Sequence, residues 1–414
     1  MKKDLIIIIG AGLFQIKAIR EAKELGLTVL AVDRNDLAPG REHCDLFECV
    51  STKDIPAIVT CVKKYTRTYN VRGIMTAGTD VAYSVACVAD ALGLPGISVD
   101  AAFCATNKFH MRTKLFEAGV PVPRFRQVTG LEQAYDVAAS LGFPLVIKPV
   151  DNMGARGVRR IDTYEELREQ FVCSLQFSGH YSSPAVILEE YMEGPEISMD
   201  TLVEHDTIHL ITVADRHIEN PPYFIEMGHT IPSALSKDQI ADAFDMMRRA
   251  IRAIGIKHGA AKADIKITRD GARIGEITAR LSGGFHSQFT EYLATGMNST
   301  RAAVQLAIGE RLDHFLITPK WDRVAIERAV VTRPGRIDSI EGVDEALTIP
   351  GIERIILNLR EGDIVYPLRS NLGKVANIIA TGNDREEAEA AVSRAIMQLR
   401  INIQDLDSVH TEMV

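Results

Sequence analysis

At 414 residues the chain is long for one hydrophobic core, so two or three domains are expected. Hydrophobic residues at 46% and charged residues at 25% are ordinary for a globular protein, and a formal charge of −8 gives no general reason to bind nucleic acid or an anionic membrane. The first apolar run, Leu5–Ile9, is too short for a signal-peptide core, and no run approaches the roughly 18 apolar residues of a membrane span.

The chain opens on "LIIIIG", "TVLAVD" and "GIMTAG", continuous apolar runs that suit strands covered on both faces. Between and after them, "FQIKAIREAKELG" and "VAYSVACVADALG" carry helical periodicity and stop at glycine. This is a βαβ pattern and predicts a parallel sheet over residues 1–98. The first turn holds Gly10 and Gly12, but Gln15 stands where a dinucleotide fingerprint has its third glycine, so Asp33 completes the look without completing the motif. The glycines then serve the tight turn, with the helix N-terminus available to face a substrate carboxylate. An NAD-dependent oxidoreductase is the alternative this turn suggests. Cys44, Cys49, Cys61, Cys87, Cys104 and Cys173 form no CxxC pair and read as reduced thiols of a cytoplasmic protein.

A second segment, 99–318, has a different texture. "FPLVIKPVDNMGARGV" sets Lys148 at the end of an apolar strand, before a loop holding Gly154, Arg156 and Gly157. A lysine beside flexible backbone amides can grip phosphate, although an ordinary surface turn has the same composition. "EEYMEGPE" groups Glu189, Glu190, Met192 and Glu196 between two strands. "KADIKITRDGARIGEITARLSGG" reads as a hairpin closed by a three-residue loop at Arg269-Asp270-Gly271. With Thr268 facing Ala272, Asp264 falls opposite Glu276, and Thr278 and Arg280 share the face of Glu276. Paired carboxylates repel and call for a cation; a hard ion such as Mg²⁺ takes such oxygens. A solvated hairpin with scattered charges accounts for the same residues, and one slip of register would separate the carboxylates. The third segment, 319–414, starts afresh with strands in "RVAIERAVV", "IERIILNL" and "KVANIIATG" and a helix on "DREEAEAAVSRAIMQLRI".

Lys108, then Lys148 with its glycine loop, the Glu189–Glu196 hinge and the Asp264/Glu276/Arg280 hairpin, in that order, closely resemble the ATP-grasp superfamily. The resemblance spans the whole chain and is nearest to the carboxylate–amine ligases, L-amino-acid ligases among them. It implies a three-part α/β architecture: a Rossmann-like N-terminal domain, an ATP-grasp domain whose nucleotide-binding part covers about 115–195, and a C-terminal α+β domain. By that likeness Lys108 and Lys148 neutralise the α- and β-phosphates of ATP, and Asp151 to Gly157, with Gly154 and Arg156, form the lid. Glu189 accepts from the adenine amino group, backbone at Glu190 and Met192 reads the ring edge, and Glu196 binds the ribose. Asp264 and Glu276 hold Mg²⁺ or Mn²⁺, Arg280 holds the transferring phosphoryl group, and Gly283 and Gly284 cradle an acyl phosphate. Two residues depart from the family pattern: Thr278 replaces the Asn of Glu-x-Asn-x-Arg, and Asp264 stands where many members have Glu.

The implied reaction joins a small carboxylic acid, such as an amino acid, to an amine through an acyl phosphate, with release of ADP and phosphate. In "DRHIENPPYFIEMGHTIPS", Glu226 and His229 are candidates for holding an ammonium or taking its proton, although a surface loop with a satisfied histidine explains them equally. Asp80 lies at the carboxyl end of a parallel strand and can bind a substrate amine, or cap the next helix. A biotin carboxylase-like or purine-pathway enzyme using carboxyphosphate is the first alternative, and a non-catalytic nucleotide sensor another. The expected partners are small molecules, with no nucleic acid or membrane, and a homodimer is an option that relatives of this kind leave open.

Overall fold

The computed structural model describes residues 2–405; Met1 and residues 406–414, the end of the third segment, lie outside the described residues. Strands β1 (Lys3–Ile9), β2 (Thr28–Asp33), β3 (Leu46–Cys49) and β4 (Tyr69–Met75) form a parallel sheet in the order β3-β2-β1-β4. Helix α1 (Ile16–Glu24) packs on one face, and α2 (Ile55–Tyr65) and α3 (Ala82–Leu92) on the other. Leu5 to Ile9 are all fully buried, which is why that strand reads as an unbroken apolar run.

Helices α4 (Val99–Thr106) and α5 (Lys108–Glu117) lead into a small lobe. Its strands β5 (Phe125–Val128), β6 (Leu145–Pro149), β7 (Arg159–Ile161) and β8 (Val186–Glu190) pair antiparallel in the order β5-β8-β6-β7. Helices α6 (Leu131–Leu141) and α7 (Tyr164–Gln176) close its core.

The centre of the molecule is an eight-stranded sheet. It contains β9 (Glu196–Glu204), β10 (Thr207–Glu219), β11 (Ile225–Ile231), β12 (Gly259–Thr268) and β13 (Gly271–Thr278). The long helix α8 (Lys237–Ile254) lays Ala243, Met247, Ala250 and Ile251 on one face, against Ile197, Met199, Ala263, Ile265, Ile274 and Ile277. The other face carries the charges described below. Helices α9 (Glu291–Thr295) and α10 (Ser299–Ala307) follow, and α10 shares a core with α1.

The third segment starts afresh with strands, as the sequence suggests, and divides them between two sheets. Its elements are β14 (Val324–Val330), β15 (Gly335–Glu341), α11 (Val343–Leu347), β16 (Ile352–Leu357), β17 (Ile364–Val365), β18 (Ala376–Gly382), α12 (Arg385–Gln398) and β19 (Arg400–Gln404). Strands β14, β18 and β16 pair antiparallel onto β11 and extend the central sheet, while β17-β15-β19 form a separate small sheet. An open β11 edge would expose unpaired backbone groups; β14 satisfies them. Among the described residues no helix is long and apolar enough to cross a membrane.

The β12–β13 hairpin brings Asp264 opposite Glu276, but not by the three-residue loop the sequence suggests. Thr268 pairs with Gly271, so the turn holds two residues, and Ile265 pairs with Ile274. The register then shifts, and Gly275 is the extra residue of a bulge that restores the Asp264–Glu276 pairing. Were Gly275 paired as an ordinary strand residue, alternation would send Glu276 to the side of Ile274, into the core.

Candidate active site

One cavity of about 780 Å³ lies where the N-terminal sheet, the small lobe, the central sheet and the C-terminal segment meet. Its floor is the charged face of the central sheet. Alternation along β12 aims Lys262, Asp264 and Lys266 at it, and β9 contributes Glu196, Ser198 and Asp200. Pairing across strands places acid beside base: Lys266 beside Glu196, Glu196 beside Arg216, and Lys262 beside Asp200.

Buried charges without partners would be costly, and here each is answered. Arg216 lies 2.9 Å from Asp264 Oδ2, donates to Glu226 at 3.0 Å, and also reaches Glu196. Lys108, at the start of α5, lies 2.7 Å from Glu276 and donates to the Asn152 carbonyl at 2.6 Å. Burial alone would raise the Glu276 carboxyl, but Lys108 and then Lys262 outweigh it and hold its pKa down at about 2. Lys262 Nζ is 2.5 Å from Asp264 Oδ1 but off-line for a hydrogen bond, so that oxygen is buried with no hydrogen-bond donor. Ser198 Oγ and Thr278 Oγ1 are likewise buried without a partner among the described residues.

This donor set fits a hard divalent ion. Two carboxylates face each other across a strand pair, one with an orphaned oxygen, and the unpartnered Thr278 hydroxyl lies two pairs along on the same face. Among the described residues no three His, Cys, Asp or Glu side chains gather as a ready cluster, so the protein supplies only part of a coordination shell.

The wall opposite is the small lobe. Lys148, on β6, lies 2.7 Å from Glu189 Oε2. The sequence expectation that the Glu189 carboxylate meets adenine is corrected here. That carboxylate is 2% exposed and accepts two bonds from Arg112, at 2.6 and 3.2 Å, besides the one from Lys148. Burial raises the Glu189 pKa, yet Arg112 and Lys148 bring it to about 2, so it is a fixed anion that positions Lys148. The Glu190 N–H also donates, to the Arg124 carbonyl, and that of Tyr191 to the Pro144 carbonyl, while the Met192 N–H donates to nothing among the described residues. Glu196 meets the cavity with Arg216 and Lys266 already on its carboxylate, Lys266 at 3.3 Å.

The glycine loop runs between the lobes. Gly154, Ala155 and Gly157 all have positive φ, and their amides donate to nothing among the described residues. Asp151, expected at the phosphates, instead accepts from the amides of Gly179, His180 and Tyr181 and so anchors the loop. Met153 Sδ contacts the Asp80 amide at 3.3 Å, and the Gly154 carbonyl accepts from the Asn371 amide at 3.1 Å, so the loop touches both terminal segments. Arg156 lines the cavity and donates to Asn152.

Asp80 neither caps α3 nor stands free for a substrate amine. The cap position is Val81, with no side-chain bond, and Asp80 accepts from Arg280 Nε at 2.6 Å. Gly283 approaches so closely that a Cβ there would lie 3.0 Å from the Gly78 carbonyl, while Gly284 has open space beside it. Ser282, just before them, is pinned on all sides. Its hydroxyl and amide donate to Asp200 at 2.5 and 3.3 Å, and its carbonyl accepts from Ser287 and Gln288.

Glu226 is no proton acceptor: burial would raise its pKa, but Arg216 and Lys374 drive it far below the carboxylate range. His229, by contrast, sits on the cavity wall with Nε2 2.6 Å from Thr290 Oγ1 and Nδ1 3.6 Å from Glu327. The opening glycine turn is closed from within. Ala11 N donates to Asp33 and Gly12 N to Gln15 Oε1, while the Gln15 amide donates to the Ala77 carbonyl. The amides of Leu13 and Phe14, both lining the cavity, donate to nothing among the described residues, so the turn spends its glycine-side donors on its own chain and keeps these two.

Arg112, Arg216, Lys262 and Asp200 escape the sequence reading. The signals are faint: Arg112 lies four residues after Lys108, one helical turn on, and Lys262 and Lys266 keep the alternation of Asp264.

Family comparisons agree with this layout. Residues 141–288 match the ATP-grasp domain, 19–96 the ATP-grasp N-terminal domain, and 329–404 the L-amino acid ligase C-terminal domain 2. The chain is 27% identical over 365 residues to the uncharacterized protein y4rH of Sinorhizobium fredii, covering 88% of this chain and 75% of that one. It is 24% identical over 411 residues to a formate-dependent phosphoribosylglycinamide formyltransferase of Ignicoccus hospitalis, covering 95% of each. The crystal structure of an L-amino acid ligase from Bacillus licheniformis superposes with a TM-score of 0.86 at 24% identity, over 97% of this chain and 99% of that one.

Proposed function

The chain belongs to the ATP-grasp superfamily, and from that premise we propose that it is an ADP-forming carboxylate–amine ligase acting on amino acids or other small carboxylic acids. The observation that carries the reading is the cavity itself. Lys108, Lys148 and Arg280 converge there on the Asp264–Glu276 pair, under a loop with three free amides.

In this reading ATP enters between the small lobe and the central sheet. Lys148, oriented by Glu189, and Lys108, oriented by Glu276, face its phosphates, and the amides of Gly154, Ala155 and Gly157 close over them. Asp264 and Glu276 would hold Mg²⁺, which when bound screens phosphate charge. The acid's carboxylate oxygen attacks the γ-phosphorus, ADP leaves, and an acyl phosphate remains beside Arg280, Gly283 and Gly284. The amine nitrogen then attacks the acyl carbon and expels phosphate. His229, beside Glu327, is placed to take the proton the amine sheds. Positioning and charge neutralisation do the work, and no covalent protein nucleophile is required.

The relatives include a formate-dependent formyltransferase, so the test compares acids. ADP release is measured with ATP and magnesium while pooled amino acids, formate or bicarbonate are added with candidate amines. Amino acids are expected to stimulate turnover; stimulation by bicarbonate alone overturns the reading. Lys148→Ala and Glu276→Gln are each expected to lower ADP formation by at least about 100-fold with the fold intact by circular dichroism. Full activity in either refutes the site.

A further inference from the structure

The mouth of the cavity holds cations that the reaction described above does not use. Arg34, following β2, and Arg156, in the glycine loop, both line the cavity beside Gly10, Thr52 and Thr79. Lys53 follows the cavity-lining Thr52, its ammonium 5.9 Å from the ring centre of Tyr181, whose amide donates to Asp151 at the foot of the glycine loop. Among the described residues none of the three has a carboxylate within 4.0 Å.

Each acid nearby is committed elsewhere. Asp33 accepts from the amides of Ala11 and Asn35, and Asp54 from that of Ala57. Asp80 is taken by Arg280, and Asp151 by the amides of Gly179, His180 and Tyr181. The cations also feel one another. Burial first, and then Arg156 and Arg34, push the Lys53 pKa down, with Asp151 and Asp80 opposing. Like charges gathered at a cavity mouth without counter-ions are costly alone and favourable with an anion between them.

We propose that Arg34, Lys53 and Arg156 form a subsite for a second anionic group, a side-chain carboxylate or a phosphate ester, on the substrate whose first carboxylate or amine lies at Arg280. The proposal rests on the ligase reading and narrows it to acidic substrates. The amides of Ala11 and Gly12 are spent on Asp33 and Gln15, so the positive charge this wall offers an anion comes from side chains.

The test is calorimetric titration without nucleotide, using pairs that differ by one anionic group: L-glutamate and L-glutamine, L-aspartate and L-asparagine, O-phospho-L-serine and L-serine. At least one acidic member is expected to bind about tenfold tighter than its neutral partner. In the Arg34→Gln/Lys53→Gln double variant that preference falls to within about twofold, with ATP affinity unchanged. The proposal is overturned if no acidic member is preferred, if the preference survives in the double variant, or if the variant weakens ATP instead. ADP release is measured on the same pairs. Turnover of neutral amino acids with no acid preference removes the subsite and leaves the ligase; acid-selective binding with no ADP from any pair removes the ligase and leaves the subsite.

Discussion

Arg112 organises more of the site than any residue the sequence singles out. It is wholly buried, and its guanidinium donates to Glu189 and to the carbonyls of Ile274 and Gly275. One side chain thus ties the helix of Lys108, the anion that aims Lys148 and the bulge that turns Glu276. Arg112→Met is expected to leave Glu189 buried without its main counter-ion and to cost about 3–5 kcal/mol, read as a lowered denaturation midpoint in urea. A change under about 1 kcal/mol would mean that Lys148 alone suffices for Glu189. This role was not legible in the sequence because its partners lie 77 and 162 residues away, and periodicity reports only neighbours on the same element. Lysines and carboxylates were legible as chemistry; which cation answers which anion was not.

At the scale of elements, the β12–β13 hairpin was placed correctly for a reason that does not hold. The sequence pointed to a three-residue loop, whereas the chain uses two residues and a bulge, and both bring Asp264 opposite Glu276. The bulge did leave a trace: Ile274 and Ile277, three apart in a strand, both enter the core. Deleting Gly275 removes the bulge but leaves Glu276 directly after the inward Ile274, so alternation keeps it opposite Asp264, and about a tenth or more of ADP formation is expected to remain. Gly275→Ala keeps the residue count, although its Cβ would lie 3.1 Å from the Asp264 carbonyl oxygen, and is expected to retain about a tenth of the activity or more. Loss of ADP formation in the deletion alone would show that the bulge itself, beyond alternation, sets the orientation of Glu276. The parallel N-terminal sheet was easier to read, since strands buried on both faces announce themselves as apolar runs.

At the scale of the molecule, the N-terminal segment is joined to the centre by buried polar contacts as well as by a shared core. Lys17 of α1 donates to the Ser287 carbonyl, and Glu291, fully buried, accepts from Ser299. Burial lifts Glu291 to about 7, against which Lys17 pulls, and lifts Asp200 to about 6. Folded values above the unfolded ones mean that the native state holds these protons more tightly. Stability is therefore greatest below the unfolded values, near pH 4, and is lost as pH rises through about 6 and 7, by about 2–3 kcal/mol per group. Glu189 and Glu276 act oppositely: their stabilisation is present above the ordinary carboxylate range and fades as pH falls toward about 2. A thermal midpoint higher at pH 5.5 than at pH 8, with a flatter profile in Glu291→Gln, is the expected outcome. A profile unchanged in that variant would assign the slope elsewhere. The extension of the central sheet by the C-terminal strands was hidden from the sequence, because alternation shows that a strand has an inner face and not which strand it joins.

The glutamine folded into the first glycine turn has a consequence for how such chains diverge. The scaffold there has the strand, the turn and the terminal acid of a nucleotide cradle, and the Gln15 amide lies in the hollow, accepting from Gly12 N while Asp33 takes Ala11 N. A Cβ at Gly10 would already meet that side chain at 3.0 Å. Whether this hollow is filled is thus decided at position 15. A lineage could open or shut the hollow by a single codon without disturbing the sheet beneath it.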